Sequence, residues 1–406
     1  MSQQAVMNER AAGTQPDLHG CWHVITNEYP PQTGGVSDYT QQVARALVEQ
    51  GDEVHVWCPA WRDMENHADG VQVHRQLGSI APSDLRRVDA MLDAFAGPRR
   101  ILVQWVPTGY GYKSMNLPFC WWLRNRAARH GDGVEIMLHE PFLDLRAGSL
   151  RGRAVALVHR LLTIILLRSA TRVWMTIPAW EQCWRPYALG RRVPFHWLPV
   201  PSNIPVVNNP HRVQEVRHRY RPEGSLIGHF GTYGTPVTSL LEPIVNALGR
   251  DPVPQTILLM GIGSQKFREA VIKKHPELSE RIQATGALAP EELSCHISAC
   301  DLLIQPYPDG VSSRRTSFMA GLSHGIPVIT TAGLLTEDLW AATGAVPIAA
   351  AGDIEGFVQL VRHYRDDPEA RATIGSAARR LYADRFEVRH VAAKLRSATP
   401  ATTGNG

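Results

Sequence analysis

The sequence predicts an α/β protein of two doubly wound domains that face each other across a cleft. Short β-branched runs alternate with amphipathic helical stretches along nearly the whole chain, the pattern of βαβ units and parallel sheets. The alternation is interrupted once, over residues 199–210, by a stretch rich in Pro and Asn that reads as a linker. A length of 406 residues exceeds one ordinary core and suits two domains of about 180 residues each. The expected plan is a tail at 1–17, a first domain at 18–200, a linker at 201–212, a second domain at 213–390 and a tail at 391–406.

In the first domain, residues 21–26 form a strand, and a Pro- and Gly-rich loop at 28–35 leads into a helix over 37–50. Val43, Ala46 and Leu47 give that helix its apolar face, Gly51 ends it, and 53–58 is the next strand. This is one βαβ unit, whose strands should lie parallel. Strands at 71–74, 100–105 and 134–139 extend the sheet, with helices near 84–95 and 119–130 between them. A long helix at 150–168 precedes a strand at 172–176, a short helix at 178–187 and a closing strand at 195–199. The second domain repeats the scheme. A strand at 226–230, a Gly/Thr loop and a helix near 240–248 lead to a strand at 255–260. Gly261 and Gly263 open a helix through 271, and strands follow at 281–285, 301–305, 327–331 and 345–349. Helices at 353–364 and 368–386 close the domain.

Composition narrows the function classes. Hydrophobic content of 44%, charged content of 20% and a net charge of +4 are those of a soluble globular protein. The mild positive charge permits an anionic ligand or an anionic membrane surface and demands neither. Basic residues are scattered rather than massed in a stripe, which argues against nucleic acid as a partner. The six cysteines include no Cys-x-x-Cys pair and no His/Cys cluster with zinc spacing, so buried thiols of a reducing compartment are expected, with no metal and no cofactor. Residues 1–17 lack the apolar core of a secretory signal, and the apolar run at 161–167 is too short to span a bilayer. A cytoplasmic protein is the expectation. The helix at 150–168 has arginines at its ends and a wide apolar body. It reads as a core helix, with docking on a membrane surface as the alternative. Trp121 and Trp122, with Arg124 and Arg126, form a second candidate edge for a membrane or an acceptor.

The most informative segment runs from Asp309 to Ile329. A Gly- and Ser-rich loop feeds a helix beginning near Arg315 or Thr316, and a Pro327-initiated strand follows. A helix N-terminus offers unpaired N–H groups and the positive end of the macrodipole, and Arg314 and Arg315 add fork-shaped cationic donors there. That combination suits a diphosphate, with Ser313, Thr316 and Ser317 as candidate hydroxyl donors. Open parallel sheets bind ligands at the carboxyl ends of their strands, so two facing sheets put the chemistry in the cleft.

Four places, in order, carry a family resemblance: the loop Pro30 to Tyr39 containing Gly34 and Gly35, the step His139-Glu140-Pro141 at a strand end, the strand-end Gly261-Ile262-Gly263, and the segment ending Gly325-Ile326-Pro327-Val328. Together they resemble the GT-B glycosyltransferases, and within them the family-four group of retaining, nucleotide-sugar-dependent enzymes, over roughly residues 20–390. The resemblance implies two Rossmann-like domains and transfer of a sugar from a nucleoside-diphosphate donor to a hydroxyl acceptor, which is a saccharide or a lipid-linked saccharide. It implies donor contacts from Gly34, Gly35, Gly231, Thr232, Gly263, Ser313, Thr316 and Ser317, acceptor contacts from Tyr39 and Glu140, and catalytic roles for His139, Arg314 and Arg315. In that family the leaving diphosphate itself helps to deprotonate the acceptor, so the protein's task is positioning and stabilising negative charge without a metal. Two departures stand out. The family's paired glutamates, eight positions apart, are replaced here by Ser312 and Ala320. The basic pair expected after the second domain's first strand is missing, and Gly231-Thr232-Tyr233-Gly234 stands there instead. Arg314 and Arg315 are the expected substitute charge. A binding protein without transferase activity and a nucleotide-sugar epimerase are the competing readings, whereas the absence of Gly-x-Gly-x-x-Gly after either first strand argues against a nicotinamide dehydrogenase.

Overall fold

A computed structural model describes residues 20–61, 67–111, 115–145, 149–221 and 223–397. The expected tail at 1–17 lies outside them. The first domain contains β1 (Cys21–Ile25), α1 (Gly35–Glu49), β2 (Glu53–Trp57), β3 (His67–Ala68), β4 (Val71–His74), α2 (Pro82–Leu92), β5 (Arg100–Trp105), α3 (Leu117–Arg129), β6 (Gly133–Leu138), α4 (Leu150–Ser169), β7 (Ala170–Met175), α5 (Ala179–Trp184) and β8 (Phe195–Trp197). Its strands are ordered β3-β4-β2-β1-β5-β6-β7-β8, parallel except for the short β3. β1 sits between β2 and β5, so the chain reverses direction across the sheet there, and the loop after β1 opens at this switch point.

The second domain contains α6 (Pro210–Tyr220), β9 (Ser225–Phe230), α7 (Thr235–Gly249), β10 (Gln255–Met260), α8 (Ser264–Lys274), β11 (Ile282–Ala284), α9 (Pro290–Ala299), β12 (Leu302–Gln305), α10 (Thr316–His324), β13 (Val328–Ala332), α11 (Asp338–Thr343), β14 (Ile348–Ala350), α12 (Ile354–Asp366) and α13 (Pro368–Arg385). Its all-parallel sheet is ordered β11-β10-β9-β12-β13-β14, with the reversal at β9. Strands such as β10, buried at every residue, carry apolar side chains to both faces, and separate hydrophobic clusters form on the two sides of each sheet.

Three expectations need correction. The expected tail from residue 391 is instead part of α14 (Val388–Ser397). Val391, Ala392 and Leu395 join the cluster that holds Tyr39, Val43 and Leu47 of α1, so the chain's last described helix returns to the first domain. Arg396 meets buried Asp52 at 3.2 Å, and Arg100 Nη2 donates to the Leu395 carbonyl at 2.7 Å. Next, α7 begins at Thr235 rather than near 240, because Pro236 lies in the first turn, where its missing N–H removes no helical bond. Finally, the linker ends at α6, which starts at Pro210 behind the Asn209 cap.

The long helix α4 is a core helix on its inner face, where Ala156, His159, Leu162 and Leu166 are buried. Its outer face leaves Leu150 83% and Leu157 59% exposed. Among the described residues, no helix is long and apolar enough to cross a membrane.

Candidate active site in the cleft

The carboxyl ends of the two sheets meet. Ser313, in the loop after β12, donates its hydroxyl to the carbonyl of Thr176, which follows β7, at 2.9 Å. Gly310 starts this loop with φ +86, where a Cβ would lie 2.2 Å from Thr336 Oγ1, so only glycine fits. The loop ends at α10, whose N-cap position is Arg315, with no side-chain cap. Among the described residues, the N–H groups of Thr316, Ser317 and Phe318 have no acceptor. Gly325, at φ +70, closes the helix.

Arg314 and Arg315 both lie at this helix mouth and share one carboxylate. Arg314 Nη2 is 2.6 Å from Asp309 Oδ2, and Arg315 bonds Asp309 Oδ1. Two guanidiniums against one carboxylate leave one positive charge uncancelled. Arg315 lies over the Tyr307 ring at 4.6 Å, and Arg314 over Trp180 of the first domain at 5.6 Å. Burial and then Arg315 lower the Arg314 pKa, opposed by Asp309 and Glu140. Both Nε atoms are buried and unpartnered.

Beside the helix mouth, Ser317 Oγ lies 2.8 Å from Tyr307 OH, and a Cβ on Gly231 would come within 3.8 Å of both Ser317 Oγ and His229 Nε2. The tight approach in this corner belongs to Gly261. Its φ is +108, and a Cβ there would meet the Gly231 carbonyl at 2.4 Å. Gly263, at φ +91, takes the N-cap position of α8. Thr232 is exposed, and Thr316 is half-buried. The structure thus brings Gly231, Thr316, Ser317, Arg314 and Arg315 to one corner.

His229, which sequence reasoning missed, sits in the same corner. Its Nδ1 is 2.8 Å from the Ile304 carbonyl and must carry the ring proton, which leaves Nε2 a buried acceptor without a partner. Burial pushes its pKa down to about 4. The available signal was an imidazole inside the apolar run Leu226 to Phe230.

Across the cleft, His139 follows β6 with Nε2 2.8 Å from Gln104 Oε1. An amide oxygen only accepts, so that nitrogen carries the proton. Burial lowers the His139 pKa to about 3. The ring is neutral at physiological pH. It can hydrogen-bond a hydroxyl, but an uncharged ring brings no positive charge to the cleft. Glu140 is exposed and close enough to bias Arg314.

Tyr39 is not an acceptor contact. It is 2% exposed, its hydroxyl points at Met137 Sδ at 3.7 Å, and its ring meets His139 edge-on at 5.1 Å. Apolar packing of α1 on the sheet explains why it turns inward. Ser313 is not a donor contact either. Its hydroxyl also receives Trp197 Nε1 at 3.0 Å and bonds Glu337, while its N–H donates to Glu337 at 2.9 Å. It joins the domains. Gly34 stands at the N-cap position of α1, which begins at Gly35 rather than 37, and the anion at this helix mouth is internal: Glu28 Oε1 accepts from Ser37 N at 3.0 Å, and a Cβ on Gly34 would fall 2.4 Å from that oxygen. Gly35 faces open space.

A family model for the starch synthase catalytic domain matches residues 23–97. No curated protein matches the chain in sequence. Among solved structures, a glycosyltransferase from Rickettsia africae is similar with a TM-score of 0.72 at 12% identity, covering 94% of this chain and 97% of that one. Sucrose-phosphate synthase from Thermosynechococcus elongatus is similar with a TM-score of 0.70 at 16% identity, over 93% and 98% of the two chains. HepE of Anabaena, solved with UDP and glucose, is similar with a TM-score of 0.66 at 16% identity, over 93% and 99%. These likenesses span both domains, and the chain has the GT-B glycosyltransferase fold.

Proposed function

We propose that the chain is a glycosyltransferase that moves a sugar from a nucleoside-diphosphate donor to a hydroxyl acceptor, with retention and without a metal. The observation that carries this reading is the open N-terminus of α10 with Arg314 and Arg315 at its mouth, facing the first domain. The guanidiniums and the free N–H groups of Thr316, Ser317 and Phe318 converge where the negative charge of a departing diphosphate would need them. The buried, unpartnered Nε atoms of both arginines and Nε2 of His229 add polar capacity around that corner. His139 contributes hydrogen bonding to a sugar or acceptor hydroxyl from the opposite wall. The solved complex of HepE with UDP and glucose supports the donor class through the shared fold. Retention and metal independence rest on the family resemblance.

Exposed Leu150 and Leu157 on α4 and Trp121, 59% exposed, on α3 favour a lipid-linked acceptor presented at a membrane surface. The replacement of the paired glutamates by Ser312, whose buried hydroxyl is unpartnered, and by Ala320 favours the alternative of donor binding without transfer. Release of nucleoside diphosphate from a panel of donors, with and without saccharide and lipid-linked acceptors, separates the two. Acceptor-dependent release supports the transferase, and binding with no release under any acceptor contradicts it.

A further inference from the structure

Far from the cleft, at the amino ends of β1 and β2, the sheet register collects three donors that are remote in sequence. Cys21 pairs with Glu53 across neighbouring parallel strands, and His55 lies two residues beyond Glu53 on the same face. Cys21 Sγ, a Glu53 carboxylate oxygen and a His55 ring nitrogen all lie within 4.8 Å of one another, and Glu53 Oε1 is 3.0 Å from His55 Nε2. In a tetrahedral zinc-class site, neighbouring donor atoms stand about 3 to 4 Å apart, so a small closure suffices. Glu53, with its side chain 55% exposed, is free to make it.

The surroundings fit a cation. Among the described residues, the Glu53 carboxylate meets the Cys21 thiol, His55 and the amide of Gln72, and no arginine or lysine forms an ion pair with it. A second acidic cluster, Asp89, Asp93 and His130, fails this test, because Arg126 binds both aspartates at 3.0 and 2.8 Å.

The outer contacts also orient the ligands. His55 Nδ1 is 2.9 Å from His74 Nε2, so a His55 bound to metal through Nε2 would donate its remaining ring proton to His74. Trp57 Nε1 donates to His23 Nδ1 at 3.3 Å, which puts the His23 proton on Nε2, 3.8 Å from Cys21 Sγ, where it donates to a thiolate.

We propose that Cys21, Glu53 and His55 bind a zinc-class divalent transition metal ion, with a fourth position open to solvent. Binding displaces the thiol proton to water and leaves the ion held by sulfur, oxygen and imidazole nitrogen, a donor set suited to zinc or cobalt. The ion would tie together the amino ends of β1 and β2 and take no part in chemistry at the opposite ends of the strands.

The test is titration of Co2+ into the full chain, tag-free and stripped of metal by chelator. About one equivalent should bind, with a sulfur-to-cobalt charge-transfer band that Zn2+ abolishes. Cys21→Ser should remove that band. Glu53→Gln and His55→Gln should each weaken binding more than about tenfold, and His74→Gln about tenfold. Nucleotide affinity in the cleft should not change. Should His55→Gln fail to fold, Cys21→Ser and Glu53→Gln carry the test, since neither side chain is fully buried. Absence of the band, its persistence in Cys21→Ser, or undiminished affinity in the Glu53 variant would overturn the proposal.

Discussion

Three imidazoles packed away from water make stability sensitive to mild acid, with a size that can be worked out. Burial holds His23 and His139 at about 3 and His229 at about 4, against about 6.5 for an unfolded histidine. Each is 9% exposed or less, so solvent screening is small. Between these values the unfolded chain binds more protons than the folded one, so stability falls as pH drops below about 6.5. From pH 7 to 5.5 each ring removes about 1.2 kcal/mol, and the three together roughly 4 kcal/mol. Glu337 opposes this as a single group, because burial raises its pKa and its contribution grows as pH falls. Urea unfolding at the two pH values measures the effect. His229→Gln should recover about 1.2 kcal/mol of the loss. Equal stability at pH 7 and 5.5, or an unchanged slope in the variant, would refute the neutral assignment of these rings and with it the uncharged role given to His139.

The remaining expectations concern residues whose roles the structure reassigns. Ser313→Ala should lower stability by about 1 to 2 kcal/mol, through loss of the contacts joining the domains, while nucleotide affinity stays within twofold by calorimetry (roughly 0.4 kcal/mol). Tyr39→Phe should leave acceptor KM unchanged, since its hydroxyl faces only a methionine sulfur. Gly34→Ala should destabilise by about 1 to 3 kcal/mol in thermal or urea melts, because the new methyl displaces the Glu28 carboxylate from the N-terminus of α1.

The alternating strands and helices were legible because each carries its own periodicity, and the mouth of α10 was legible because Arg314, Arg315 and Thr316 are contiguous. What the sequence concealed depends on where loops return. Asp309 lies in the same segment, yet nothing in its spacing says that one carboxylate spans both guanidiniums. Glu28 begins the loop expected at 28–35, and nothing in its spacing says that its side chain folds back to fill the helix mouth that Gly34 opens. Ser313 looked like a phosphate donor until the first domain closed over it. The last helix carries its own signal, since Val388, Val391, Ala392 and Leu395 have helical spacing, but the polar ending that follows masks its boundary. The Cys21, Glu53 and His55 cluster has no local motif, since only strand register brings it together.

The central claim is that Arg314 and Arg315 grip the donor diphosphate. Calorimetric titration of UDP into the wild type, Arg314→Ala and Arg315→Ala tests it most directly. Each variant should lose about 1.5 to 3 kcal/mol of binding free energy, and the wild type should weaken as salt rises. Full UDP affinity retained in both variants would contradict the assignment and place the diphosphate elsewhere in the cleft.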